Sequence, residues 1–289
     1  MNRRRTARAA LLGTFALAAL VAGCGDDPSD GTAVGGSGSP DDVVVSVEVV
    51  GAFTTPEMAF QTLPSTVVYG DGTRITPGAQ IEIYPGPALP ALQRDQLSDD
   101  DVAAIVDAAR DAGLDRDDLD YGQPPLADAG DTVVTVTIDG ETYVHTATAL
   151  GFAEGPGAQD PESLGLTDEQ AANRAALAEF VDQVSTLTGS ASPELIDADR
   201  YRLWVRPASE VDTGSEDDDT IGPRSAEWTV DAVTLEASGC LPVEGGAVAE
   251  VTALLAEADA LTRFDDGSTM WAVVARPVLA HEPTCPDAE

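Results

Sequence analysis

Two Asp-Gly turns limit what this chain can fold into. Gly70-Asp71-Gly72 separates the apolar stretches 65–68 and 73–75, and Asp139-Gly140 separates 132–138 from 141–149. Asp and Gly tolerate the positive φ that a type I′ turn requires, so each pair of stretches should fold back as an antiparallel hairpin. Helices and hairpins are also segregated along the chain, which disfavours a regularly alternating parallel α/β sheet. The expected fold is α+β: largely antiparallel sheets with covering helices, in two sheet-and-helix halves spanning 41–160 and 161–289.

Around these turns the apolar period sorts the remaining segments. Val43, Val45, Val47 and Val49 alternate with polar residues as a strand with one buried face does. The stretch 80–84 continues extended until Pro85, Pro87 and Pro90 end it. Ser98 followed by Asp99-Asp100-Asp101 caps a helix whose stripe is Val102, Ile105, Val106 and Ala109, and Gly113 stops it. Burial against Val134, Val136 and Ile138 explains a stripe on so short a helix. Thr167 and Gln170 form a capping box for a helix to about 188 that links the halves. The second half reads as strands over 202–206 and 228–235, a helix over 246–261 and a closing strand over 268–278. Trp204, Trp228 and Trp271 then fall at core-like strand positions. A recurring Arg-Pro at 206–207 and 276–277, with matched spacing in DVAAIVDAA and AVAEVTALL, hints at a degenerate duplication.

The N-terminus sets the compartment. Arg3, Arg4, Arg5 and Arg8 precede an apolar run over 9–22 that is too short to cross a hydrocarbon core of ~30 Å, so residues 1–23 read as a processed signal. The general secretory and twin-arginine routes both remain open. Leu20-Val21-Ala22-Gly23-Cys24 looks like a bacterial lipobox, which makes Cys24 the acylated N-terminus and the lipid bilayer a partner through that anchor. Residues 24–40 then form a Gly/Ser/Asp tether with an r.m.s. span of about 20–24 Å. The expected location is the cell membrane, facing the extracytoplasmic side.

With 15 basic and 51 acidic residues the formal charge is −36. Nucleic acid and anionic lipid surfaces are excluded as ligands, since both need a basic face. With Cys24 lipidated, Cys240 and Cys285 are the two thiols left in an oxidising compartment and should be bridged. Free thiols or half of a metal site is the competing reading, but only His145 and His281 exist as soft partners and no CxxC spacing occurs. No metal or other cofactor is expected.

Catalytic signals are weak. No GxSxG elbow is present. His145 lies mid-strand beside Tyr143 and His281 in a terminal loop, so neither is assigned as a base. The acidic stretch Asp115–Gly122 puts Leu119 where a calcium loop needs a ligand. Tyr69 is expected to pair across the first turn with Arg74, as a cation–π contact or a ligand-facing edge.

The lipobox, the segment Leu63-Pro64-Ser65-Thr66-Val67-Val68-Tyr69-Gly70-Asp71-Gly72, the run Tyr84-Pro85-Gly86-Pro87-Ala88-Leu89-Pro90 and the terminal Arg276-Pro277-Val278-Leu279-Ala280-His281-Glu282-Pro283-Thr284-Cys285 together resemble uncharacterised lipoproteins of actinobacteria. The resemblance implies an exported, tethered protein without an assigned activity, and it carries over no catalytic residue. The favoured expectation is a non-enzymatic module that binds an envelope protein or a small ligand. The alternative is an envelope hydrolase that uses carboxylates on polysaccharide or peptide.

Overall fold

The computed structural model describes residues 38–79, 83–154, 157–189, 192–210 and 222–286. The expected signal, Cys24, the tether up to residue 37 and part of the stretch 80–84 lie outside them, and Ile83 and Tyr84 carry no strand. In chain order the elements are β1 (Val43–Val50), α1 (Pro56–Gln61), β2 (Thr66–Tyr69), β3 (Thr73–Pro77), β4 (Leu92–Gln96), α2 (Asp99–Asp111), β5 (Asp131–Ile138), β6 (Glu141–Thr148), α3 (Asp168–Thr186), β7 (Glu194–Ile196), β8 (Tyr201–Pro207), β9 (Ser225–Glu227), β10 (Ser238–Val243), α4 (Ala247–Ala256), β11 (Arg263–Asp265) and β12 (Met270–Pro277).

The fold is α+β with two sheets. The first runs β6-β5-β1-β2-β3-β4-β7 and the second β10-β8-β12-β11-β9. All the named pairings are antiparallel except β9 with β11. Both Asp-Gly turns form. Asp139 (φ 53) and Gly140 (φ 83) are both left-handed, as a type I′ turn requires. The first turn differs from expectation: it is a three-residue loop in which Gly72 alone takes positive φ, at 82.

Each face of the first sheet has its own core. On one, Val45, Val47, Val68, Val134, Val136 and Ile138 pack under Val102, Ile105 and Val106 of α2 and Leu177, Phe180 and Val184 of α3. Capping boxes at Ser98/Asp101 and Thr167/Gln170 start these helices. Gly113 (φ 73) ends α2: its N–H reaches Arg110 O and that of Leu114 reaches Ala109 O, the Schellman pattern. The helix read as opening the second half therefore covers the first sheet, and β7 extends that sheet beyond β4. The chain crosses between the sheets after residue 196 rather than near 160, because the Leu177-Phe180-Val184 row fits beside α2.

The other core joins the sheets. Val67, Tyr69, Ile75 and Leu92 of the first sheet meet Tyr201, Leu203, Val205 and Ala275 of the second, with Val251 and Leu255 of α4 in the same cluster. The expected strand over 228–235 is instead a loop, in which Val230, Val233 and Leu235 pack inward and Trp228 Nε1 donates to Val233 O at 2.8 Å.

Candidate functional site

Cys240 and Cys285 are joined, with Cα atoms 5.8 Å apart and a sequence separation of 45. Closing a loop of that length stabilises by about 4 kcal/mol in the chain-entropy model. The bridge ties β10 to the C-terminal segment. Arg200 holds the same segment through Nη2, which donates to Leu279 O at 2.9 Å and Glu282 O at 3.1 Å.

Tyr69 and Arg74 do not meet. The register sets Val68, not Tyr69, opposite Arg74, because the loop between β2 and β3 has three residues rather than two. Cross-strand partners share a face, so Tyr69 and Arg74 lie on opposite faces of the sheet. Both are buried and partnered. Arg74 Nε donates to Asp95 Oδ1 at 2.9 Å and Nη1 to Leu187 O at 2.8 Å. Gly189 passes so close over Asp95 that a Cβ there would lie 2.6 Å from its Oδ2. Tyr69 Oη lies 2.9 Å from His281 Nδ1, and burial, with the Glu282 charge behind it, pushes the phenol up to about 12.

His145 is a core residue. Its Nε2 is 3.1 Å from Leu114 O, which can only accept, so Nε2 carries the hydrogen and Nδ1 accepts from Tyr121 Oη at 3.0 Å. Asp120, in the acidic stretch, is tied to α3: Gln170 Nε2 donates to its carboxylate at 2.9 Å and Asn173 Nδ2 to its carbonyl. No group of three or more His, Cys, Asp or Glu able to hold a metal occurs among the described residues.

The sequence reading missed a surface on the second sheet. In β8, Arg202, Trp204 and Arg206 alternate with Tyr201, Leu203 and Val205, and the latter three fill the core. The first three must therefore face the other way, which corrects the core-like reading of Trp204. The pairings extend this outer face: Arg202 is opposite Arg276, Trp204 opposite Val274, and Arg206 opposite Ala272, which in turn is opposite Arg263 of β11. Four guanidiniums thus project from three strands of an acidic protein.

Helix α1 lies against this face. Thr55 caps it, accepting from Met58 N at 3.2 Å, and Gln61 anchors its far end through hydrogen bonds to Ala88 O and Ala275 O. Its Phe60 sits between Arg202, 5.6 Å from the ring centroid, and Trp204, 5.9 Å centroid to centroid. Arg206 stacks on the other side of Trp204 at 4.0 Å, so two aromatic rings are bracketed by two cations. Arg206 also pairs with Glu57. Burial opposes ionisation of Glu57, but the Arg206 hydrogen bond and charge outweigh it and hold the carboxyl below its ordinary value.

The four arginines are not equally neutralised. Arg276 is gripped by Glu282 through two bonds of 2.7 and 2.8 Å, and its Nε donates to Thr62 O. Arg202 and Arg263 have no carboxylate in ion-pair range among the described residues. The Nε atoms of Arg202 and Arg206 are buried without a hydrogen-bond partner among the described residues. Arg263 is 7% exposed, and its Nη1 reaches only as far as Thr262 O at 3.4 Å. Burial and then the Arg276 charge lower the pKa of Arg202, outweighing the nearby Glu282, and burial and then the Arg206 charge lower that of Arg263, outweighing Asp259 and Glu57. Such a face can attract an anion and stack a flat or apolar group.

Compared with known protein families, curated proteins and solved structures, the chain matches none.

Proposed function

We propose that this chain is a lipid-anchored, extracytoplasmic binding module without catalytic action, and that its ligand is a small anion with an apolar or planar body. The observation that carries the reading is the charge imbalance on the outer face of the second sheet. Of the eleven arginines beyond the signal, eight sit in ion pairs with Asp or Glu, and Arg200 is taken up by carbonyls and Thr284. Among the described residues, Arg202 and Arg263 remain without such a partner, both on one face and both beside aromatic rings or a second cation. With 51 carboxylates in the chain, pairing them internally would have been easy. Like charges set opposite each other on a sheet are destabilising, and a bound anion relieves this. The overall charge of −36 repels polyanions at long range, which leaves a small ligand.

The compartment rests on the lipobox at Cys24 and agrees with the disulfide, as does the likeness to actinobacterial lipoproteins. Membrane fractionation tests the anchor: Cys24→Ala should release the protein, and wild type found wholly soluble after export would overturn it. Ligand binding is tested by titrating the full-length chain with phenyl phosphate, benzoate and inorganic phosphate at constant ionic strength. Phenyl phosphate should bind most tightly, and Arg202→Gln or Arg263→Gln should each weaken it roughly tenfold or more, the worth of one charge-assisted hydrogen bond. Responses matched by sodium chloride alone, or unaltered in both variants, would refute the site.

A further inference from the structure

From the open edge of the first sheet we infer that the chain self-associates through β6, two copies pairing antiparallel about a two-fold axis at Val144. Strand β6 is an edge strand, paired along all eight residues with β5. The two-residue Asp139-Gly140 loop makes Ile138 and Glu141 a hydrogen-bonded pair, and such pairs alternate along an antiparallel ladder. Thr142, Val144, Thr146 and Thr148 are then the non-bonded positions, whose N–H and C=O groups point away from β5. Two observations agree: Thr137 and Thr142 approach to 3.2 Å between hydroxyls, as close non-bonded pairs do, and Thr148 O accepts from Arg174 Nη1 at 2.9 Å on the outer side.

That arginine closes one end of the edge, and the turn closes the other. Between them Thr142, Val144 and Thr146 offer three donors and three acceptors with no hydrogen-bond partner among the described residues. The set is self-complementary. Rotation about Val144 places Val144 against the partner's Val144 and Thr142 against the partner's Thr146, so each copy's three donors meet the other's three acceptors. A two-fold contact requires this kind of self-matching patch.

The side chains agree with a second copy as the occupant. Acidic residues are spread through this chain, yet residues 142–148 of β6 carry none. The carboxylate at Glu141 falls opposite the partner's Ala147, so no like charges face each other along the two strands, and the other acidic groups near this edge, beside Tyr143, are Asp115 and Asp117. Val144, 57% exposed, becomes the centre of the contact. Nor does the edge carry the Lys, Pro or bulge that usually blocks strand addition. The net charge of each copy opposes approach, so association should strengthen as salt screens it.

The test uses the purified full-length chain in a Cys24→Ala background. Sedimentation velocity should show the mass doubling as sodium chloride is raised. Val144→Cys should cross-link to a dimer under mild oxidation, since hydrogen-bonded partners lie ~5.5 Å apart at Cα, within disulfide reach. Leu195→Cys, more exposed still at 69% but on the opposite edge strand, serves as the control and should not cross-link. Val144→Pro removes an outward N–H while sparing the β5 ladder, and should abolish the dimer without changing the circular dichroism spectrum. A monomer at every salt concentration, or a dimer that survives Val144→Pro with no excess cross-linking at position 144, would overturn the inference. If Val144→Pro fails to fold, the comparison of the two cysteine variants decides.

Discussion

At the scale of single residues, buried arginines do much of the joining. Arg174 of α3 is 0% exposed: its Nε pairs with Glu154 at 2.7 Å, Nη1 donates to Thr148 O and Tyr121 O, and Nη2 donates to Ala149 O at 2.8 Å. One side chain thereby fixes a helix, the end of β6 and two loops. Arg174→Met should lower stability by roughly 3–5 kcal/mol, because it strands Glu154 and three carbonyls. A urea midpoint equal to wild type would show that the network is dispensable. No sequence signal marked this residue, since an arginine within a helix is most often solvated. The histidine near the C-terminus, whose ring meets Tyr69, gives a pH dependence. Burial lowers the pKa of His281 from 6.5, with Glu282 opposing and Arg276 assisting. The unfolded chain therefore binds the proton more readily, and stability should be complete above pH 6.5 and decline as pH falls below it. Thermal melts of His281→Gln should lose this limb and keep the carboxylate limb at lower pH. A melting profile as pH-dependent as wild type between 6.5 and 5 would remove His281 as the cause.

At the scale of elements, the packing of α2 on the first sheet invites a direct test. Ile105 is 3% exposed, between the helix and the Val134-Val136-Ile138 face. Ile105→Asp should cost several kcal/mol, enough to unfold a domain of ordinary marginal stability. An unchanged melting temperature would mean that the interface tolerates a charge. This helix was legible because cap, stripe and stop coincide within 98–113, and the β5–β6 hairpin because Asp-Gly sits between two alternating runs. Other elements were not. Strand β4 has the polar sequence LQRDQ, and Asp95 is buried only because Arg74 comes to it from β3, a partner 21 residues away. Helix α1 is six residues long, less than two turns, so it shows no period. The segment 228–235 has the composition of a strand, yet it is a loop that buries Val230, Val233 and Leu235, and alternation alone cannot separate the two. The arginine face was hidden for a related reason. Arg202 and Arg206 stand four residues apart on one strand, but their juxtaposition with Arg263 exists only once β8, β12 and β11 are aligned.

At the scale of the whole molecule, charge is the term most open to manipulation. A formal −36 on 289 residues makes self-repulsion substantial, while the Debye length falls from about 10 Å at 0.1 M salt to about 3 Å at 1 M. The melting temperature should therefore rise with sodium chloride over this range. A flat response would mean that the carboxylates are already screened or neutralised where they stand. The order of strands has a further consequence, for load. The N-terminal segment leads directly into β1, and β1 is held on one side by β5 and on the other by β2. A pull transmitted from that end cannot peel a border strand bond by bond. It must shear two ladders at once, at the middle of the seven-stranded sheet.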